Sequence, residues 1–220
     1  LIGGAGAVSF RLYDGRGPGP SGEGSSNLVS LPDFSMSELG ARMSIITGND
    51  RSSAVNLGLK AVGGIETFIE RGDRVLIKVN AAFASPPMLS ATTNPELLAE
   101  VVRLCLAAGA ASVVVTDNPI NDPQSCFALT SIGEAARTDG ARVILPSDRS
   151  FAPTTIPQGQ LIREWPFLYA PFEGVNKLIG MAPVKDHHRS GASMIMKNWY
   201  GLLGGRRNIF HQDIQNIICE

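Results

Sequence analysis

The chain has 220 residues, 44% hydrophobic and 18% charged, values that exclude a disordered chain, and a length that fits one domain better than two. Its 19 Lys and Arg balance 20 Asp and Glu, so no global field draws it to nucleic acid, and any charge-based function must come from local clustering. Cys105, Cys126 and Cys219 lie far apart without CxxC spacing, which excludes a zinc knuckle or iron–sulfur site built from them alone, and no apolar run reaches the roughly 18 residues of a transmembrane helix.

Leu1 to Phe10 (LIGGAGAVSF) is a Gly/Ala-rich apolar stretch running into a Gly/Pro/Ser tract over Asp14 to Asn27. That is the order in which an export signal passes into a linker. The weak hydrophobicity points to the twin-arginine type of export, hence to a periplasmic or extracellular location, with a cytoplasmic one as the alternative. Residues 1–40 are expected to form a flexible arm and residues 41–220 an α/β domain.

Arg42 to Thr47 (RMSIIT) reads as a first strand. Val55, Leu59, Val62, Ile65 and Ile69 then recur at near-helical spacing over Arg51 to Glu70, with Gly63-Gly64 interrupting the helix. RVLIKVN over Arg74 to Asn80 is a buried strand of the kind found in parallel sheets. Asn94-Pro95-Glu96 supplies a cap, a first-turn proline and an acid, so a helix is expected to about Ala108, with Cys105 on its apolar face and Gly109 ending it. Ala111 to Thr116 (ASVVVT) is another buried strand, Ile132 to Thr138 a short helix and Arg142 to Leu145 a further strand. Pro146 to Pro171 shows no period and reads as a Pro-rich excursion with one hairpin. Asn176 to Val184 is a strand ending in Lys185-Asp186-His187-His188-Arg189, and a helix is expected from Ser190 to Leu203, closed by Gly204-Gly205. The alternation predicts three layers, a mostly parallel sheet with helices on both faces.

In such sheets ligands bind beyond the C-terminal strand ends. That rule selects Lys78 and Asn80, Asp117 and Asn118, and Lys185, Asp186, His187 and His188, to which the last helix adds Lys197 and Asn198. A helix start at Ser190 to Ser193 would aim backbone donors at an anion, with Lys185, His187 and Lys197 adding charge. A solvated loop and an amphipathic helix with Ile195, Trp199 and Leu202 inward is the plainer reading of the same residues. Asp186, His187, His188 and His211 are also suitable metal ligand types. No GxSxG elbow, Walker pattern or GxGxxG after a strand is present.

Taken together, RVLIKVN, TTNPELLAEVVRLCLAAGAASVVVTDNP, PVKDHH and MKNWYGLLGGRRNIFH resemble the family catalogued as domain of unknown function 362, over roughly Ser44 to His211. The family's Lys-Pro-Asn strand end falls on Lys78-Val79-Asn80, with valine in place of proline. Its Lys-x-His block falls on Lys185-Asp186-His187, its Lys-Asn-x-x-Gly block on Lys197 to Gly201, and its following histidine on His211. Members often carry a twin-arginine signal or a fused ferredoxin-like module, and the family's domain usually continues past the segment like Asn208 to Ile218, so the chain is expected to be a fragment.

The resemblance and the strand-end rule select the same residues. His187, Lys185 and Lys197 are the candidate catalytic groups, His187 foremost because its free pKa is near neutrality. Lys78, Asn80, Asp117 and Asn198 are the candidate ligand-binding groups. The expected ligand is a small anionic molecule in a Lys/His/Asn-lined crevice. The alternatives are a non-catalytic accessory or docking protein, with a redox partner protein as occupant, and a metalloprotein using the histidines. No cofactor follows from the sequence.

Overall fold

Two short apolar runs rich in β-branched residues build the centre of the molecule. The computed structural model describes residues 28–220. In chain order the elements are α1 (Arg51–Ala61), β1 (Arg74–Lys78), α2 (Pro95–Ala107), β2 (Ser112–Thr116), α3 (Pro123–Leu129), α4 (Ile132–Thr138) and β3 (Arg142–Ile144). They are followed by β4 (Phe151–Thr154), β5 (Trp165–Leu168), β6 (Lys177–Gly180), β7 (Lys185–His187), β8 (Gly191–Ser193), α5 (Ile195–Trp199) and α6 (Ile214–Cys219).

β3, β2, β1 and β6 form one four-stranded parallel sheet in that order. Alternate residues of β1 and β2 serve opposite faces, as the period of a strand requires. Val75, Ile77, Val113 and Val115 join one core with Leu98, Val102 and Cys105 of α2 and Phe127, Ile132 and Ala136 of α3 and α4. Leu76 and Val114 join a second core with Trp165, Phe167 and Leu168 of β5, Tyr200, Leu202, Phe210 and Ile214 and Ile217 of α6. Helices therefore cover both faces, and the second is shared with the antiparallel hairpin of β4 and β5. That hairpin is the ordered part of the Pro-rich excursion. α2 begins as its sequence specifies, with the Asn94 carboxamide oxygen accepting from the amides of Glu96 and Leu97 at 2.9 and 3.2 Å and Pro95 in the first turn.

Three expectations need correction or extension. RMSIIT forms no strand: residues 42–47 are exposed, and their ties are Arg42 to the Val62 carbonyl and Ser44 to the Gly58 carbonyl, both at 2.9 Å on the flank of α1. A strand needs a sheet edge to pair with, and this run meets a helix instead. The helix expected from Ser190 is only five residues of α5 followed by a 3-10 turn over Tyr200–Leu202. Gly191, at φ 75°, turns the chain so that Gly191 to Ser193 pair with β7, and extended Met194 keeps the helix from starting earlier. No helix N-terminus stands at Ser190 to Ser193. α3 was also hidden in the loop after β2, although Asp122-Pro123 caps it by accepting from the Ser125 amide at 2.8 Å.

The export reading and the first part of the expected arm, residues 1–27, lie outside the described residues. From Leu28 the arm is docked. The Val29 amide donates to the Pro153 carbonyl at 3.0 Å, and Leu31 and Phe34 pack on the second core. No described helix is long and apolar enough to cross a membrane.

Candidate functional site

The chain leaves β1 for β2 on one side and reaches β6, on the other side of β1, only after the hairpin. The loops beyond β1 and β6 therefore diverge and leave a crevice where ligand sites of open α/β sheets form. A cavity of about 660 Å³ occupies that position, lined by Lys78, Asn80, Asp117, Asn118, Lys185, Asp186, His187, Lys197 and Asn198, whereas His188, selected by the same rule, does not line it.

The floor of the cavity is a saturated polar network. Lys78 ends β1 at 1% exposure, and its ammonium contacts Asp117 Oδ1 at 2.6 Å, Asn198 Oδ1 at 2.8 Å and the Val79 carbonyl at 2.9 Å. An ammonium has three donors, so none is left for a ligand. Asp117 also accepts from the amides of Ala81 and Asn118, at 2.6 and 2.8 Å. Asn198 Oδ1 takes a second bond from Asn80 at 3.1 Å, and Asn80 Oδ1 accepts from Lys185 at 3.0 Å. Lys185 donates again to the Ala91 carbonyl at 2.8 Å and keeps one donor.

Two glycines allow this convergence. A Cβ on Gly201 would stand 3.0 Å from Lys78 Nζ and 3.3 Å from Asp117 Oδ1, and one on Gly180 would stand 2.7 Å from both Ile195 and Trp199 of α5. The missing side chains let α5 and the turn after it lie directly on the strand ends, which delivers Lys197 and Asn198.

Lys197 differs from the other two cavity lysines. Among the described residues its ammonium makes no hydrogen bond or ion pair, and it sits over the ring of Tyr200, 5.2 Å from the centroid. Burial lowers its pKa, and Lys185, Arg207 and Lys78 lower it further. Burial likewise lowers Lys185 and Lys78, with Asp117 opposing the shift in both.

Sequence reasoning missed Arg207 and Tyr200. Arg207 donates to the carbonyls of Gly201, Leu203, Asn118 and Pro119, so it contributes charge while its four terminal donors are spent on backbone. The phenol of Tyr200 donates to the Arg207 carbonyl and lies 3.0 Å from His211 Nδ1, and burial pushes its pKa up to about 12. The only signal for either was the density of cations and aromatics in the last block.

The histidines gather at the rim, with His187 stacked 5.3 Å from His188 and 5.8 Å from His211. His187 Nδ1 faces the Ser190 hydroxyl at 2.9 Å and the amides of Ser190 and Arg189 at 3.2 and 3.4 Å; the two amides can only donate, which favours Nδ1 as acceptor with the hydrogen on Nε2. Since the single proton of Tyr200 goes to a carbonyl, His211 Nδ1 donates to the phenol and its Nε2 is bare. Burial first, then the charge of Lys197, lowers the pKa of both rings. Among the described residues no group of three or more His, Cys, Asp or Glu side chains is placed to hold a metal ion.

A family model described as Domain of unknown function (DUF362) matches residues 75–220, more than half of the chain, starting at β1 rather than at Ser44. No curated protein and no solved structure matches.

Proposed function

Since this chain belongs to the family described as Domain of unknown function (DUF362), which carries no assigned reaction, we propose its function from the cavity itself: it binds a small anion. The observation that carries this reading is the charge balance of the wall. Asp117 is already paired with Lys78, so Lys185, Lys197 and Arg207 remain in excess, and among the described residues none takes a hydrogen bond from Lys197. Among the described residues that line the cavity, exposed Asp186 at the rim is the one further carboxylate set against them. A phosphate or carboxylate entering there would meet Lys197 and the last donor of Lys185 in a partly desolvated setting, where charge-assisted hydrogen bonds are strong. Lys78, Asn80, Asp117 and Asn198 then act as the scaffold that aims these groups. His187, neutral near pH 7 and carrying its hydrogen on Nε2, is the candidate hydrogen-bond donor to the bound molecule, and His211, with a bare Nε2, the candidate base.

The concave form of the cavity favours a small molecule over a docked protein. Export through a twin-arginine signal remains part of the proposal, supported by the order of the apolar and Gly/Pro/Ser stretches, and fractionation of cells expressing the full-length protein tests it. The anion reading is tested by calorimetric titration with inorganic phosphate and with malonate at low salt. Lys197→Ala should weaken binding by at least about tenfold, the effect of losing one charge-assisted bond, with thermal unfolding nearly unchanged. A matching loss of stability would make Lys197 structural instead.

A further inference from the structure

We propose that Lys197 is a nucleophile that forms an imine with a small carbonyl-bearing anion such as an oxo acid. The inference rests on the anion reading above and extends it to chemistry. Of the chain's lysines, Lys78 has spent its three donors and Lys185 two of them, Lys177 lies 3.9 Å from Asp73, and Lys60 is exposed on α1. Lys197 alone points an unbonded amine into the cavity wall among the described residues, held over the Tyr200 ring.

An amine becomes nucleophilic when it is kept neutral by desolvation and neighbouring cations. Both conditions meet here. The groups acting on Lys197 are Lys78 from β1, Lys185 from β7, Arg207 after Gly205, and the rings of His187, His211 and Tyr200; of the cavity's carboxylates, Asp117 is paired with Lys78 and Asp186 is exposed at the rim. The same cations that disfavour an ammonium favour a carboxylate, so the site selects a molecule carrying an anion and an electrophilic carbonyl together.

The step balances without oxidant or reductant. Nζ attacks the carbonyl carbon, a C–N bond forms and the carbonyl electron pair moves to oxygen. The amine proton passes to the bare Nε2 of His211, and the imidazolium so formed returns it to that oxygen, giving the carbinolamine. A proton from solvent then converts the carbinolamine hydroxyl, held by Nε2–H of His187, to water, which leaves as the nitrogen lone pair closes the C=N bond of a protonated imine.

The test incubates the full chain with glyoxylate, the smallest anionic aldehyde, and cyanoborohydride at neutral pH, then maps carboxymethylated lysines by mass spectrometry. Lys197 should label measurably faster than Lys60, because a lowered pKa leaves more of the amine unprotonated at neutral pH. Lys197→Arg should abolish that label and leave the slow labelling of Lys60 unchanged. Labelling of Lys197 no faster than Lys60, or faster labelling of Lys185, with malonate still bound, overturns the imine and leaves the anion reading intact. Absence of both labelling and malonate binding overturns both.

Discussion

Asp117 Oδ1 lies 2.6 Å from the ammonium of Lys78, and the two residues, 2% and 1% exposed, join the C-terminal ends of adjacent parallel strands beneath the cavity. Two charges this deeply buried are tolerated because each is fully hydrogen-bonded: the ammonium by Asn198 and the Val79 carbonyl, the carboxylate by the amides of Ala81 and Asn118.

Removing one partner strands the other. Lys78→Met should therefore destabilise the fold by about 3–5 kcal/mol in urea unfolding, and Asp117→Asn in the same direction. The paired replacement Lys78→Met with Asp117→Leu should cost less than either single change added to the other, because no orphan charge remains. A loss below about 1 kcal/mol for Lys78→Met would place the pair among weak surface contacts.

Gly201 faces the same pair. Alanine there would press its methyl against Lys78 Nζ and Asp117 Oδ1, and the strain should cost about 1–3 kcal/mol and weaken anion binding together. Chemical denaturation and calorimetry on Gly201→Ala read both quantities. Unchanged values in both would show that the turn after α5 yields without disturbing the network.

The hydrogen bonds of the two cavity histidines assign opposite tautomers. Long-range 1H–15N NMR at pH 7.5 should find the hydrogen of His187 on Nε2 and that of His211 on Nδ1. Tyr200→Phe removes the phenol that receives the His211 proton, so it should mix the tautomers of His211 and leave His187 alone. The same tautomer on both rings in the native chain would refute the assignment.

Stability should also follow these rings. Burial and the charge of Lys197 hold the His187 and His211 pKa values below the ordinary histidine value of about 6.5. Below that value the unfolded chain binds protons that the folded chain refuses, so stability falls as pH drops from about 6.5 and levels off beneath the folded pKa values. Most carboxylates titrate lower, near pH 4, so the window is the histidines' own. Tm measured from about pH 7.5 to pH 5 should decline, and less steeply in His187→Gln; a flat profile in the native chain would contradict the lowered values.

The parts of the fold legible in the sequence are those coded by neighbours along the chain. RVLIK and SVVVT are apolar on both faces and so had to be central strands. Asn94-Pro95 starts α2 with its own side chain, and Gly63-Gly64 interrupts α1 through φ values that only glycine takes easily. RMSIIT misled because an apolar stretch signals burial without naming a partner. The stretch after Lys185 misled because its helical composition lost to pairing between β7 and β8, which forms only once Gly191 has turned the chain.

For the site, the sequence by itself determined which residue types stand at the strand ends, since strand termini and the order of elements place Lys78, Asn80, Asp117, Lys185, His187, Lys197 and Asn198 near one crevice. Only the tertiary structure decided what each can do there. Whether an ammonium is spent or free depends on partners remote in sequence: Lys78 meets Asn198 across 120 positions and Lys185 meets Asn80 across 105. No local pattern encodes such encounters. They arise because a parallel sheet brings distant strand ends side by side, and because two glycines leave room for α5 to lie against them.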